Sequence, residues 1–345
     1  MTKLNAWRKP PSARSVVAAV VLALAGLTAA ACSDVKDTLE DADRSLSSAL
    51  SAEDTEKFAG LTGTALSDAL YEDGLALQSE GMDAEAANRF AQAAERGHGP
   101  AAYELALAYN AGHGVAADPA AGARWMNTAA ERGEPRAQYS LGRAYYEGDG
   151  VGQDYLRAAE YLTAAAEQGH ADAQFLLGEC YANGRGVAKN ISWAARWYGK
   201  AAEQGQPDGA FSYGVVQAAG LGLPTNLRWG YAWLDIASNR GHAKAGEVRA
   251  AIANRMTAEQ IAAGKQRSEA FTPVETQEFA DRPTVMYVQH SLNQLGFSAG
   301  AVDGLMGPRT RSAISAYLSS VGDGGEGEIT PALLQRLLES QQQTV

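Results

Sequence analysis

The sequence is short of basic charge, of cysteine and of long apolar runs. Lys and Arg number 29 against 40 Asp and Glu, for a net charge of −11. Four of the cations, Lys3, Arg8, Lys9 and Arg14, fall within residues 1–32, which hold no acid, so the chain without that stretch carries −15. No basic field remains to capture phosphates, which excludes nucleic acid as a generic partner. The acidity suits a solvated surface. The two cysteines are Cys32 and Cys180. If Cys32 ends a cleaved leader and is capped there, Cys180 has no intramolecular partner. No His or basic pair stands near Cys180 in sequence, so it reads as a packing residue and not as a nucleophile. The one extended apolar run, residues 16–31, is too short for a comfortable membrane span.

That run follows the basic residues and precedes Cys32, the charge order of a secretory signal. Its ending, Leu27-Thr28-Ala29-Ala30-Ala31-Cys32, resembles a bacterial lipobox. The resemblance implies that residues 1–32 are a lipoprotein signal peptide and that Cys32 is diacylated as the mature N-terminus. The acyl chains would supply membrane affinity at roughly 0.8 kcal/mol per buried methylene. Ala29 departs from the Leu the lipobox prefers, which leaves open an ordinary signal cut near Ala31. Ser33, in place of Asp, implies in a two-membrane bacterium a periplasmic lipoprotein sent to the outer membrane. Residues 33–65 are acidic and rich in small residues, with Leu39, Leu46 and Leu50 too sparse for a core helix; they read as a tether.

What the chain has in abundance is a period. Ala93-Ala94-Glu95-Arg96-Gly97 recurs from Ala129, from Ala165, from Ala201 and, altered, as Ala237-Ser238-Asn239-Arg240-Gly241, each step being 36 residues. A fixed period in this range predicts a solenoid of stacked supersecondary units. Within a unit, Ala137, Leu141, Gly142 and Tyr145 mark one face of a first helix, and Gly148 and Gly150 break it. Asp154 then caps a second helix with Ala158, Tyr161, Leu162 and Ala165 on its inner stripe. The cap recurs as Asp118, Asp154, Asn190 and Asn226, and the large aromatic as Trp125, Tyr161, Trp197 and Trp233. The small residues Ala106, Gly142, Gly178 and Gly214 let the two helices approach closely.

Leu177-Gly178, Tyr181, Gly184, Gly186, Val187, Asn190, Trp197 and Ala201-Ala202-Glu203-Gln204-Gly205 together resemble the Sel-one-like repeats, relatives of the tetratricopeptide repeat. The resemblance implies an all-α, right-handed superhelical solenoid over residues 66–271 that serves as an interaction scaffold without catalysis. Repeats that touch only their neighbours also build, on physical grounds, an extended groove for another chain. The fourth unit departs, with Tyr213 for Leu, Gln217 for Tyr and Leu223 for Val, so its inner surface differs. A shortened unit around Gly81-Met82-Asp83 precedes the full ones. A fifth begins at Ala245-Gly246, turns charged, and ends in a helix opened by the capping-box pair Thr257 and Gln260. One row of first-helix positions, Leu107, Arg143, Glu179 and Val215, is expected to be exposed. It varies between repeats, which nominates it for partner binding or for a plain solvated face.

Residues 272–283, with two prolines and mixed charge, read as a linker. Beyond them, Val288-Gln289, Leu292, Leu295-Gly296-Phe297, Val302-Asp303-Gly304, Gly307, Thr310, Ala313-Ile314 and Tyr317 resemble the small three-helix peptidoglycan-binding module of cell-wall proteins. That assigns residues 284–345 to such a domain. After Tyr317 the family pattern gives way to Leu318 and a glycine-rich acidic loop through Glu328, while Ile329, Thr330, Leu333, Leu334 and Leu337 supply a last helix. Arg309 and Arg311 stand at a helix start, where the dipole also favours anions, and are candidates to hold a stem-peptide carboxylate. Asp303 either shapes its turn or accepts from a hydroxyl or amine.

No catalytic constellation emerges. His98, His170 and His242 share one slot two repeats apart, too far for a common metal when helices stack at about 10 Å. The Gly-x-Gly loops follow helices, not strands, and recur with the period, so they are turns and not cofactor loops. Glu326 and Glu328 lie in a glycine loop, a poor place to raise a carboxylate pKa. The sequence therefore predicts a non-catalytic envelope scaffold that needs no cofactor or metal. It would hold peptidoglycan at one end, a protein partner along the repeats and the membrane through Cys32. The alternative is an accessory subunit of an envelope enzyme or polysaccharide-export machine, its C-terminal module docking protein in place of glycan.

Overall fold

The computed structural model describes residues 52–274 and 280–342. The leader, Cys32 and the first part of the expected tether lie outside the described residues. Among the described residues there are helices and no strands. The described residues divide into two compact units, one ending at Ala165 and the other beginning at Ala166.

The first unit holds α1 (Ala52–Lys57), α2 (Gly63–Glu80), α3 (Asp83–Glu95), α4 (Gly99–Ala111), α5 (Pro119–Glu131) and α6 (Pro135–Glu147); the division falls in α7 (Tyr155–Glu167). Consecutive helices pack as a solenoid. Asp118 accepts from the amides of Ala120 and Ala121 at 3.0 and 3.1 Å, and Asp154 likewise from Leu156 and Arg157. Each such cap is worth about 1 kcal/mol. Gly112 and Gly148 end their helices at φ 72° and 73°, the left-handed region. Gly142 sits where a Cβ would meet Leu162 Cγ at 2.8 Å, so the close approach of the helix pair requires glycine. The core runs through Leu70, Phe90, Leu105 and Tyr109, with Phe58 at its edge. Residues 52–65, assigned to the tether by composition, carry α1 and the first turn of α2. Arg89 ties α1 down by pairing with both Asp54 and Asp73.

The second unit holds α8 (Ala171–Asn183), α9 (Ile191–Glu203), α10 (Pro207–Ala219), α11 (Leu227–Asn239), α12 (Ala245–Ala253) and α13 (Ala258–Glu269), then α14 (Arg282–Gln294), α15 (Pro308–Ser320) and α16 (Pro331–Gln342). Asn190 and Asn226 cap their helices through the amides of Trp193 and Trp229. Thr257 and Gln260 form the expected capping box. Gly222, at φ 69°, passes so close to the start of α9 that a Cβ would lie 2.6 Å from backbone atoms of Ile191 and Ser192. The loop after one repeat's first helix thus rests on the second helix of the repeat before, a contact only glycine permits.

Two further links between repeats come from positions the sequence left unassigned. The variable fourth letter of the closing phrase reaches back one repeat: Gln204 Nε2 donates to the Gly169 carbonyl at 2.7 Å, and Arg240 Nη1 to that of Gly205 at 3.2 Å. In the first unit Arg132 does the same to Ala94. Buried Gln138 and Gln174 donate to the carbonyls of Ala130 and Ala166. These bonds land on carbonyls at or just past the ends of second helices; those of Ala94, Ala130 and Ala166 also accept from the amides of Gly97, Gly133 and Gly169, so the side chains add a second acceptance that ties one repeat to the next. His98 and His170 cap first helices through Nδ1, accepting from Ala101 and Ala173, while His242 stacks on Phe211 with 4.0 Å between ring centres.

Helices α14 to α16 form a three-helix module around Tyr287, Leu292, Ile314, Leu333 and Leu337, all fully buried. The last helix forms despite the altered loop before it. Thr330 caps it through the Leu333 amide, and Tyr317 and Ser340 share a hydrogen bond of 2.9 Å.

Candidate functional site

Three places carry candidate residues: the turn of the C-terminal module, the row on the first helices, and the seam between module and repeats within the second unit.

In the module, Gln289 is the hub. Its Nε2 donates to Asp303 Oδ1 and to the Leu305 carbonyl, both at 3.0 Å, while its Oε1 accepts from the amides of Asp303 and Gly304. Asp303 Oδ1 also accepts from the Leu305 amide at 2.9 Å. These bonds, led by that from Gln289, hold the Asp303 carboxyl below the usual carboxylate range. One oxygen of Asp303 is therefore committed to the turn, although the residue is exposed. Arg309 and Arg311 are exposed on the first turn of α15. Arg309 lies along the Gly300 loop and Arg311 along Gly327. Two positions apart on a helix, they do not face each other, so the structure does not bring the three candidates to one point.

The row expected to be exposed is half-buried at all four positions. Each residue follows the small residue at a helix-pair contact, so its neighbours cover part of it. In the first unit Leu107 is partly covered and Arg143 lies 5.8 Å from the Tyr139 ring. In the second, Glu179 accepts from the Tyr198 hydroxyl at 2.5 Å, and Val215 packs beside Leu234 and Ile252. Cys180 is fully buried, and burial pushes its thiol up to about 12, which fits packing and not nucleophilic chemistry.

The seam is what the sequence did not announce. Helix α9 packs against α14. Lys200 and Asp281, both nearly buried, form an ion pair, and Asp281 also caps α14 through the Thr284 amide. Arg196 Nε donates to Thr284 Oγ1 at 2.9 Å, with its guanidinium 4.7 and 4.5 Å from the rings of Trp193 and Trp197. Burial pushes Arg196 down to about 10 and also lowers Lys200. Tyr287 meets Trp193 edge-on at 4.7 Å. Asn190 donates to Gln341 on α16 at 3.0 Å. Gly199 leaves room for Pro283, which a Cβ there would meet at 2.7 Å. The described ends of the expected linker are thus packed: Val274 donates to the Glu203 carbonyl at 2.9 Å, and Pro283 is buried. A proline reads as a linker residue in sequence but also suits the first turn of a helix.

Beside the seam lies an open cleft of about 640 Å³. The departures of the fourth repeat, Tyr213 and Gln217, line it with Trp229, Trp233 and Phe271. The Tyr213 hydroxyl donates to Met286 Sδ at 3.4 Å. Glu203 is half-buried at the rim. Burial first, then the facing Asp281, push its carboxyl up to about 7 against the pull of Lys200 and Arg282. Among the described residues no group of three or more His, Cys, Asp and Glu could hold a metal, and no helix is long and apolar enough to cross a membrane.

Comparison with known proteins matches this architecture. The family model described as "Sel1 repeat" matches residues 99–134, 135–170, 171–206 and 207–242, and that described as "Putative peptidoglycan binding domain" matches residues 281–337. No curated protein matches the chain. Among solved structures, a Sel1 repeat protein from Oxalobacter formigenes is 35% identical over 48% of this chain and 48% of its own, with a TM-score of 0.44. The protein c5321, a protective antigen of uropathogenic Escherichia coli displaying an SLR fold, is 25% identical, with a TM-score of 0.50 over 75% of this chain and 58% of its own. The chain thus spans about half the length of these solved relatives. It carries four Sel1 repeats in an all-helical solenoid, followed by a domain of the peptidoglycan-binding type.

Proposed function

We propose that the protein is a non-catalytic scaffold of the cell envelope, which binds peptidoglycan through its C-terminal module and a protein partner through its repeats. The observation that carries this reading is the pairing of Sel1 repeats with a peptidoglycan-binding-type domain in one chain. Lipidation at Cys32 would add membrane attachment and place the protein in the periplasm as an outer-membrane lipoprotein. Tethering at both ends would concentrate a bound partner between membrane and wall without any new contact to it.

In the module, Arg309 and Arg311 act as separate anion contacts, and Asp303 offers the oxygen its turn does not use. On the repeats, the half-buried row with Leu107, Arg143, Glu179 and Val215 contributes through its exposed parts. The test is co-sedimentation of the chain from residue 33 onward with purified sacculi. Wild type is expected in the pellet, and Arg309→Glu with Arg311→Glu should lose at least tenfold in apparent affinity. A wild-type chain left in the supernatant would favour the accessory-subunit alternative, with the module docking protein. The whole chain is used because α14 packs on α9, and the isolated module would expose Tyr287, Pro283 and Asp281 to water.

A further inference from the structure

The cleft beside the seam has a chemistry that the scaffold reading does not use. Arg267 and Arg282 each stand 4.1 Å from the centre of the Trp229 ring; Arg282 also lies near enough to Glu203 and Asp303 to act on their carboxyls, while Arg267 is exposed. Guanidiniums on an aromatic ring keep their planar donor forks free for a carboxylate. Deeper in, Gln217 is 2% exposed, and its Oε1 is buried with no donor. A buried acceptor left unpaired costs free energy that a ligand N–H can recover. The corresponding positions of the other repeats are tyrosines, Tyr109, Tyr145 and Tyr181, so the orphan acceptor is particular to the repeat that meets the module. Trp233 and Phe271, edge to face at 5.3 Å, supply an apolar wall between the two polar ends.

Two guanidiniums on one ring, one unpaired acceptor and an aromatic wall ask for a carboxylate, an N–H donor and a small apolar group, in that arrangement. A peptide's carboxyl-terminal end offers all three. The volume falls in the usual range for small-ligand sites. The wall of the cleft that bears Arg282 is the first turn of the module, and the Asp303–Gly304 turn packs directly on the Arg282 side chain. We propose that this cleft binds the carboxyl-terminal end of a peptidoglycan stem peptide, its carboxylate held by Arg267 and Arg282 and an amide N–H donated to Gln217 Oε1. The proposal rests on the reading of the module as a wall binder. It adds a second recognition point, built jointly by the fourth repeat and the module.

The test is a titration of the chain from residue 33 onward, followed by tryptophan fluorescence, with diacetyl-Lys-D-Ala-D-Ala, its carboxamide and its all-L counterpart. The free acid should give a saturable change. The carboxamide and all-L peptides should bind at least tenfold more weakly, as should Arg267→Gln, Arg282→Gln and Gln217→Leu with the free acid. Arg267 is exposed, so its variant reports on binding even if Arg282→Gln disturbs the seam. Equal binding of acid and carboxamide, or no saturable change, overturns the proposal. Equal binding of the all-L peptide overturns the wall as the source of the ligand. Sacculus co-sedimentation run beside the titration separates the two readings: sacculi held without peptide binding sink the cleft alone, whereas sacculi not held sink the wall reading itself.

Discussion

Helices α5 and α9 occupy the same place in the first and third repeats and obey the same grammar, yet they are buried very differently. In α5 the buried residues are Ala121, Gly122, Ala129 and Ala130, one stripe facing its own helix pair. In α9 every residue from Ser192 to Ala202 is buried, including Arg196 and Lys200. An ordinary solenoid helix is apolar on one face and wet on the other. A helix buried all round needs a cover on its outer face, and for α9 that cover is α14. The comparison teaches that the period of 36 fixes the inner face of each repeat, while the outer face records what else docks there.

The comparison can be broken most sharply at Lys200. Lys200→Ala strands the buried Asp281 and should cost about 3–5 kcal/mol in urea denaturation, whereas the matching Thr128→Ala in α5 should stay within about 0.5 kcal/mol. Next comes Gly199→Leu. Its side chain would strike Pro283, and overpacking of this kind costs roughly 1–3 kcal/mol. The variant should also be cut faster by protease between residues 272 and 283. Asn127→Leu, on the exposed side of α5, should show neither effect.

A smaller effect sharpens the account through pH. Glu203 faces Asp281 on α14, with Lys200 and Arg282 close by, and its folded pKa of about 7 lies above the ordinary 4.5. A raised carboxyl pKa means that ionisation costs stability. The penalty is absent below pH 4.5, grows as pH rises towards 7, and is complete above it. Glu203→Gln should therefore gain on wild type by of order 2 kcal/mol between pH 4.5 and 8, read as melting temperature across that range. No gain would remove the buried carboxyl from the account. The smallest expected effect is at the caps. Asp118→Ala should cost about 1 kcal/mol; Asn190→Ala should cost somewhat more, because Asn190 also donates to Gln341.

The repeats were legible because their causes are local. Asx residues cap, glycines take left-handed angles, and small residues recur where helices cross, so the period exposes all three. The repeat-to-repeat bonds of Gln204 and Arg240 were visible only as a variable letter, because a donor to a backbone carbonyl needs no fixed side-chain type. The seam left no periodic trace: Arg196 and Thr284 are 88 residues apart in sequence. Its signals were present as anomalies, with Gly199 inside a helix, Lys200 where the other repeats have Thr128, Ala164 and Ile236, and Tyr213 and Gln217 where the repeat expects Leu and Tyr. The turn at Asp303 could be read from its Asp-Gly pair, but the role of Gln289 as its clamp depended on the fold bringing α14 beside it.

The most direct test of the seated module is a double-mutant cycle between Lys200 and Asp281, using Lys200→Ala, Asp281→Ala and the pair, with stability from urea denaturation. Residues in contact and buried together should show a coupling energy above about 1 kcal/mol, the double variant being less damaged than the two singles predict. Additivity within about 0.5 kcal/mol would mean that the two side chains do not meet in solution, and that the module swings free of the repeats.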